Sequence, residues 1–193
     1  VRFGAAGSYS LRIAVSDEYG LQATRDVAVT VSPDPGPAAG VIAEWNPGKS
    51  VSSEVTAGDL ILRVAGYSDQ AVSALPIAFN GLSTAHEFIF TLTVPAGKTM
   101  ALTDWTTTVT MWSTPMQARL SAATGAVTQS LGAVSVPYAG WTVPVTSSIN
   151  YPDVTLTAGT HTITLSLYGN NAGDWARLEQ ITLKGRVFGA AID

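Results

Sequence analysis

The stretch YGNNAGDWARLEQITLKG, residues 168–185, sets two amides, a carboxylate and an indole close together: Asn170, Asn171, Asp174 and Trp175. A turn needs Asn, Gly or Asp for its backbone, but it does not need a tryptophan. Two other polar segments carry rings in the same way. One is VPYAGWTVP, with Tyr138 and Trp141 flanking an Ala-Gly turn, and the other is MWSTP, with Trp112 beside a Ser-Thr-Pro turn. Rings among amides and hydroxyls have the chemistry to hold a sugar. The C–H face of a pyranose packs on an aromatic ring, and Asn and Asp take its hydroxyls in directional hydrogen bonds. Trp112, Tyr138, Trp141 and Trp175 are therefore candidate platforms, with Asn170, Asn171 and Asp174 as hydrogen-bonding partners. For Trp112 the competing reading is cover by a neighbouring loop or by the first domain, since isolated exposed apolar residues are common; tryptophans at loop ends also serve as lids over sandwich cores.

Such a site needs no ionisable catalyst, and the sequence offers little for one. Histidine is the commonest acid–base group, and only His86 and His161 occur, each read as a strand-edge residue. HExxH, CxxC, GxSxG and GxxxxGK[ST] are absent. The acids are scattered singly apart from Asp17-Glu18, and no strand carries the close acid pair of a retaining glycosidase. The Arg, Gln-x-His and Tyr-x-Lys signatures of jelly-roll alginate lyases are missing too. The chain is expected not to be an enzyme.

Composition narrows the partners. Hydrophobic residues make up 46% and charged residues 12% of the 193 positions, enough for a substantial core. A net charge of -4 gives no basic field for nucleic acid. No apolar run approaches the roughly 18 residues of a membrane helix. There are no cysteines, which decides nothing about compartment.

The elements that must position the candidate residues read as strands. Tyr9, Leu11, Ile13 and Val15 alternate with polar or small neighbours, Asp17 to Gly20 reads as a turn, and Val27, Val29 and Val31 resume the alternation. This hairpin ends in the Pro/Gly-rich joint Pro33 to Gly40. Beyond Val41 strands are expected at 60–64, 88–94, 101–112, 116–122, 141–145, 160–168 and 178–184, separated by PAGK, ATGA, TAGT and GNNAG. In ALTDWTTTVTMW the odd positions share one face, so Trp105 reads as core and Trp112 as outward. Many short strands without a sustained helical period predict an all-β, antiparallel β-sandwich of jelly-roll type. The expected organisation is a hairpin over 1–33, a linker over 34–40, the sandwich over 41–187 and a tail over 188–193.

GSYSLRIAVSD and VAVTVSP together resemble the last two strands of the polycystic-kidney-disease and related immunoglobulin-like repeats of bacterial surface proteins. That resemblance implies a C-terminal repeat fragment cut from a longer chain; the alternative is an ordinary hairpin packed on the main domain. VIAEW and LTAGTHTITLSLYGNNAGDWARLEQITLKG resemble the opening and closing strands of family-six and family-thirty-five carbohydrate-binding modules and related galactose-binding-like sandwiches. The resemblance implies a non-catalytic glycan binder in which an amide before the last strand, here Asn170 or Asn171, contacts sugar. It also implies a structural calcium ion held by Glu44 and Glu179, although this chain lacks the family's further acid in the opening strand and its Asp in the last.

Parity bears on calcium independently. Glu179 falls on the side of Ile181 and Leu183, hence toward the core, and a buried carboxylate needs a cation or several donors. Calcium takes hard oxygen ligands. A bulge between Leu178 and Ile181, or an ion pair with Arg177 or Arg186, would answer the same need. The expected function is a carbohydrate-binding module of a secreted or cell-surface multidomain protein. Its expected partners are a glycan and the neighbouring domains of the same polypeptide, and it is expected to be a monomer. The alternative is a structural spacer or adhesin module without glycan affinity.

Overall fold

A computed structural model of the chain describes residues 7–31, 39–112, 114–140, 142–169 and 173–189, with side chains at 31 and 150–153 set aside. The chain falls into two compact units divided near residue 36. In the first, β1 (Gly7–Ser16) and β2 (Gln22–Val31) pair antiparallel from Gly7↔Val31 to Ser16↔Gln22. The Asp17 carboxylate closes the turn by accepting from the Tyr19 and Leu21 N–H groups at 3.0 and 2.8 Å, the Asx capping expected of Asp in a turn. Arg12 and Asp26, opposite each other, form a two-bond ion pair at 2.8 and 2.9 Å. Ile13, Val15, Tyr19 and Leu21 stay exposed.

The second unit is a two-layered antiparallel sandwich of β3 (Gly40–Trp45), β4 (Lys49–Val51), β5 (Thr56–Ala57), β6 (Leu60–Val64), β7 (Gln70–Val72), β8 (Ile77–Asn80), β9 (His86–Met111), β10 (Met116–Thr124), β11 (Val127–Val136), β12 (Pro144–Tyr168) and β13 (Trp175–Gly189). Two strands, β9 and β12, run through both layers and turn a corner together. Their pairing holds from Leu167↔His86 to Gly159↔Val94, breaks, resumes from Thr157↔Thr99 to Val154↔Leu102, shifts again, and continues from Asn150↔Asp104 to Pro144↔Thr110. The corner falls at the PAGK and TAGT signals, where Gly97 and Gly159 take φ of 70° and 134°, a backbone region that glycine enters without steric cost. Turn chemistry at these points bends a continuous strand instead of ending it.

One layer has the order β11, β10, the C-terminal half of β12, the N-terminal half of β9, β6, β7. The other runs from the N-terminal half of β12 through the C-terminal half of β9 and β13 to β3 and β4, with β8 on the first residues of β13. Phe88, Phe90 and Leu92 of the first layer share a single buried cluster with Met100, Leu102, Trp105 and Val109 of the second. Trp45 of β3 packs on Phe90 of β9 with ring centroids 4.1 Å apart, so the two inner faces touch. Burying one such side chain is worth about 1.5–3 kcal/mol. Gly185 lets β13 close on β9: a Cβ there would collide with the Ala101 carbonyl oxygen.

The antiparallel sandwich expected from the alternation is the observed fold, and Trp105 is fully buried as its parity requires. His86 opens β9, at a strand edge as expected, whereas His161 lies within β12; both are buried. His161 sits between the Thr124 hydroxyl at 2.6 Å and the Thr157 carbonyl at 2.8 Å.

Candidate functional site

The register brings the ring-bearing segments to one end of the sandwich. Met116 pairs with Val136, so Thr114 and Pro115 before β10 lie at the same end as residues 137–140 after β11. Gln117 pairs with Tyr168, so Gly169 lies at that end as well. Main-chain hydrogen bonds then tie this end together: Gly169 N–H to Leu82 carbonyl at 2.7 Å, Gly81 N–H to Asp174 carbonyl at 3.2 Å, and Trp112 N–H to Trp175 carbonyl at 3.1 Å. The rim is thus built on strand ends and pinned by backbone.

Trp112 and Trp175, 63 residues apart in sequence (175 − 112), meet on this rim. Their centroids lie 6.5 Å apart with planes inclined at 67°, the edge-to-face arrangement favoured by the ring quadrupole. Trp112 is half-buried, and Trp175 keeps 48% of its surface in solvent. Together they form a corner of two indoles. Tyr138 is exposed on the same end, but among the described residues it makes no ring contact with either tryptophan. Trp141, Asn170 and Asn171 lie outside the described residues.

Asp174 differs from the solvent-facing partner that the sequence suggests. It is buried, and its carboxylate accepts from the Thr114 hydroxyl while its carbonyl accepts from Gly81. Here the residue that precedes β13 is tied to Thr114, two positions past Trp112.

A neighbouring concavity went unnoticed in the sequence. Asn80 stands opposite Trp175 in the β8–β13 register and also lines a hollow of about 350 Å³ with Tyr67, Gln70, Ser83, Thr84 and His86. Tyr67 is exposed. The segment AGYSDQ carried the same signature as the three chosen loops, a ring among polar residues, and could have been found by it. His86 packs beside Phe79 at 4.8 Å and contacts the Thr84 carbonyl at 3.1 Å through Nδ1. Desolvation by burial lowers its pKa from 6.5, so at neutral pH it is an uncharged hydrogen-bonding wall.

The two acids expected to hold calcium have other partners. Between Leu178 and Gln180 the β13–β9 register slips by one residue, and this bulge removes Glu179 from the core face. Its Oε1 accepts from Arg177 Nε and from the Thr110 hydroxyl, both at 2.7 Å. Glu44 accepts from Gln180 at 2.6 Å and Asn46 at 2.8 Å. Calcium takes 6–8 oxygens, and among the described residues no group of three or more His, Cys, Asp or Glu is placed to hold a metal. This donor set, with a guanidinium on one acid, does not fit the ion. Melting with and without chelator is expected to give the same midpoint; a fall on chelation would restore the metal.

No protein-family model and no curated protein matches the chain. Solved structures do resemble it. TmCBM61, in complex with beta-1,4-galactotriose, is 18% identical with a TM-score of 0.39, over 71% of this chain and 89% of that one. The carbohydrate-binding module CBM6cm-2 from Cellvibrio mixtus lichenase 5A, in complex with cellotriose, is 18% identical with a TM-score of 0.40, over 74% and 96%. Arthrobacter globiformis T6 isomalto-dextranase, complexed with panose, is 13% identical with a TM-score of 0.43, over 92% of this chain and 32% of that one.

Proposed function

We propose that the sandwich is a non-catalytic carbohydrate-binding module of a secreted or cell-surface multidomain protein, acting as a single copy beside other domains of its polypeptide. The observation that carries this reading is the Trp112–Trp175 corner, with its exposed indole and with Asn80 directly across the register. Burying an indole against the C–H face of a sugar removes apolar surface from water, while the amide and hydroxyls nearby satisfy the sugar's polar edge. Inclined planes suit a single glycan chain entering a corner; a crystalline polysaccharide face would call for coplanar rings. Asp174 contributes by positioning Trp175.

Affinity gels charged with soluble polysaccharides test the reading. Retention of the wild-type chain by at least one polysaccharide, lost in Trp112→Ala/Trp175→Ala with unfolding unchanged, is the expected result. Free migration on every gel would favour the spacer, and retention that survives both substitutions would move the site elsewhere.

A further inference from the structure

The geometry points to a second subsite on the outer face of the first layer, built around Arg119 and suited to a carboxylated sugar, a uronate. This deepens the proposed glycan binding and rests on it. Arg119 of β10 is exposed, and its Cζ lies 5.0 Å above the centroid of the Tyr168 ring. Stacking on a ring holds a guanidinium plane in place while leaving its donors free for hydrogen bonds. Ser166 stands opposite Arg119 in the register. Arg119, Tyr168, Ser166, Ser83 and Ala85 line a hollow of about 350 Å³.

Within the sandwich, Arg63 and Arg177 are each held by a carboxylate, at 2.8 and 2.7 Å. Among the described residues Arg119 is in no ion pair. The acid in its row, Glu87, stands beyond Ser166 and directly opposite Arg63. A planar fork of donors without an acid matches a planar carboxylate in two parallel bonds. Tyr168 and two serines supply the ring and hydroxyl contacts that a sugar needs.

Position links the two subsites. Ser83 lines both this hollow and the one beside Asn80, so they share a wall. A glycan resting on the Trp112–Trp175 corner can continue past Asn80, over Ser83, and present a uronate to Arg119. The ligand class that follows is an acidic polysaccharide in extended, single-chain form.

The test uses affinity gels of polygalacturonate, alginate and glucuronoxylan, each beside its carboxyl-methyl-esterified form, so that backbone is matched and charge is not. The wild-type chain is expected to bind at least one uronate form about tenfold more tightly than its ester, the size of one charge-assisted contact. Arg119→Gln should abolish that preference and leave retention of the ester unchanged, and added salt should shrink it. Equal retention of both forms, or a preference that survives Arg119→Gln, would overturn the inference. If neutral polysaccharides are retained through Trp175 without uronate preference, the rim stands and the Arg119 subsite falls. Retention of nothing removes both.

Discussion

Trp105→Ala is expected to destabilise the sandwich by about 3–5 kcal/mol, the range for deleting a large aromatic from a packed interior. Trp105 has no solvent exposure and belongs to the cluster joining the two layers. It sits on β9 between β12 and β13, opposite Ile149 and Leu183, so the hole would open in the middle of the second layer. Its indole N–H has no hydrogen-bond partner among the described residues. Trp105→Phe should therefore cost much less, because it keeps a ring and removes an unsatisfied donor. For a domain of this size each kcal/mol moves the midpoint by roughly 2–4 °C, so thermal melting of the two variants reads the difference. Equal losses would mean that a six-membered ring alone cannot hold the two layers together and that the full indole is needed.

Trp175→Ala should weaken glycan binding by roughly 30-fold, about 2 kcal/mol, as expected when a central aromatic contact is truncated. Stability should change little, because the ring is 48% exposed while its backbone carbonyl, which accepts from Trp112, is retained. Trp175→Phe keeps an apolar face and should recover part of the affinity. Titration calorimetry beside melting separates the two effects. A loss of affinity matched by a fall in the melting midpoint would make Trp175 a structural lid and not a contact.

Much of this was legible from residue types. Alternation placed Trp105 inside, because strand side chains have a period of two, while Trp112, read as outward, is half-buried just past the end of β9. The corners of β9 and β12 were visible as PAGK and TAGT, although read as chain reversals: the local signal for φ > 0 is the same in a bend and in a turn. Register was hidden. Nothing in LEQITL announces the extra residue that turns Glu179 from the core toward Arg177, since a bulge is set by tertiary pairing. Burial of a polar residue was hidden too. Asp174 reads like any loop acid until Thr114 and Gly81 are seen to surround it. Arg119 was missed for a further reason: its meaning comes from Tyr168, which only the fold brings alongside.

The chain has five tryptophans, Trp45, Trp105, Trp112, Trp141 and Trp175, so indole N–H resonances give a direct reading of where a glycan rests. Titrating the labelled protein with an oligosaccharide of the polysaccharide that retains it should shift the Trp112 and Trp175 signals, assigned by substitution, and leave buried Trp45 and Trp105 in place. Saturable binding that leaves both Trp112 and Trp175 unmoved would contradict the account.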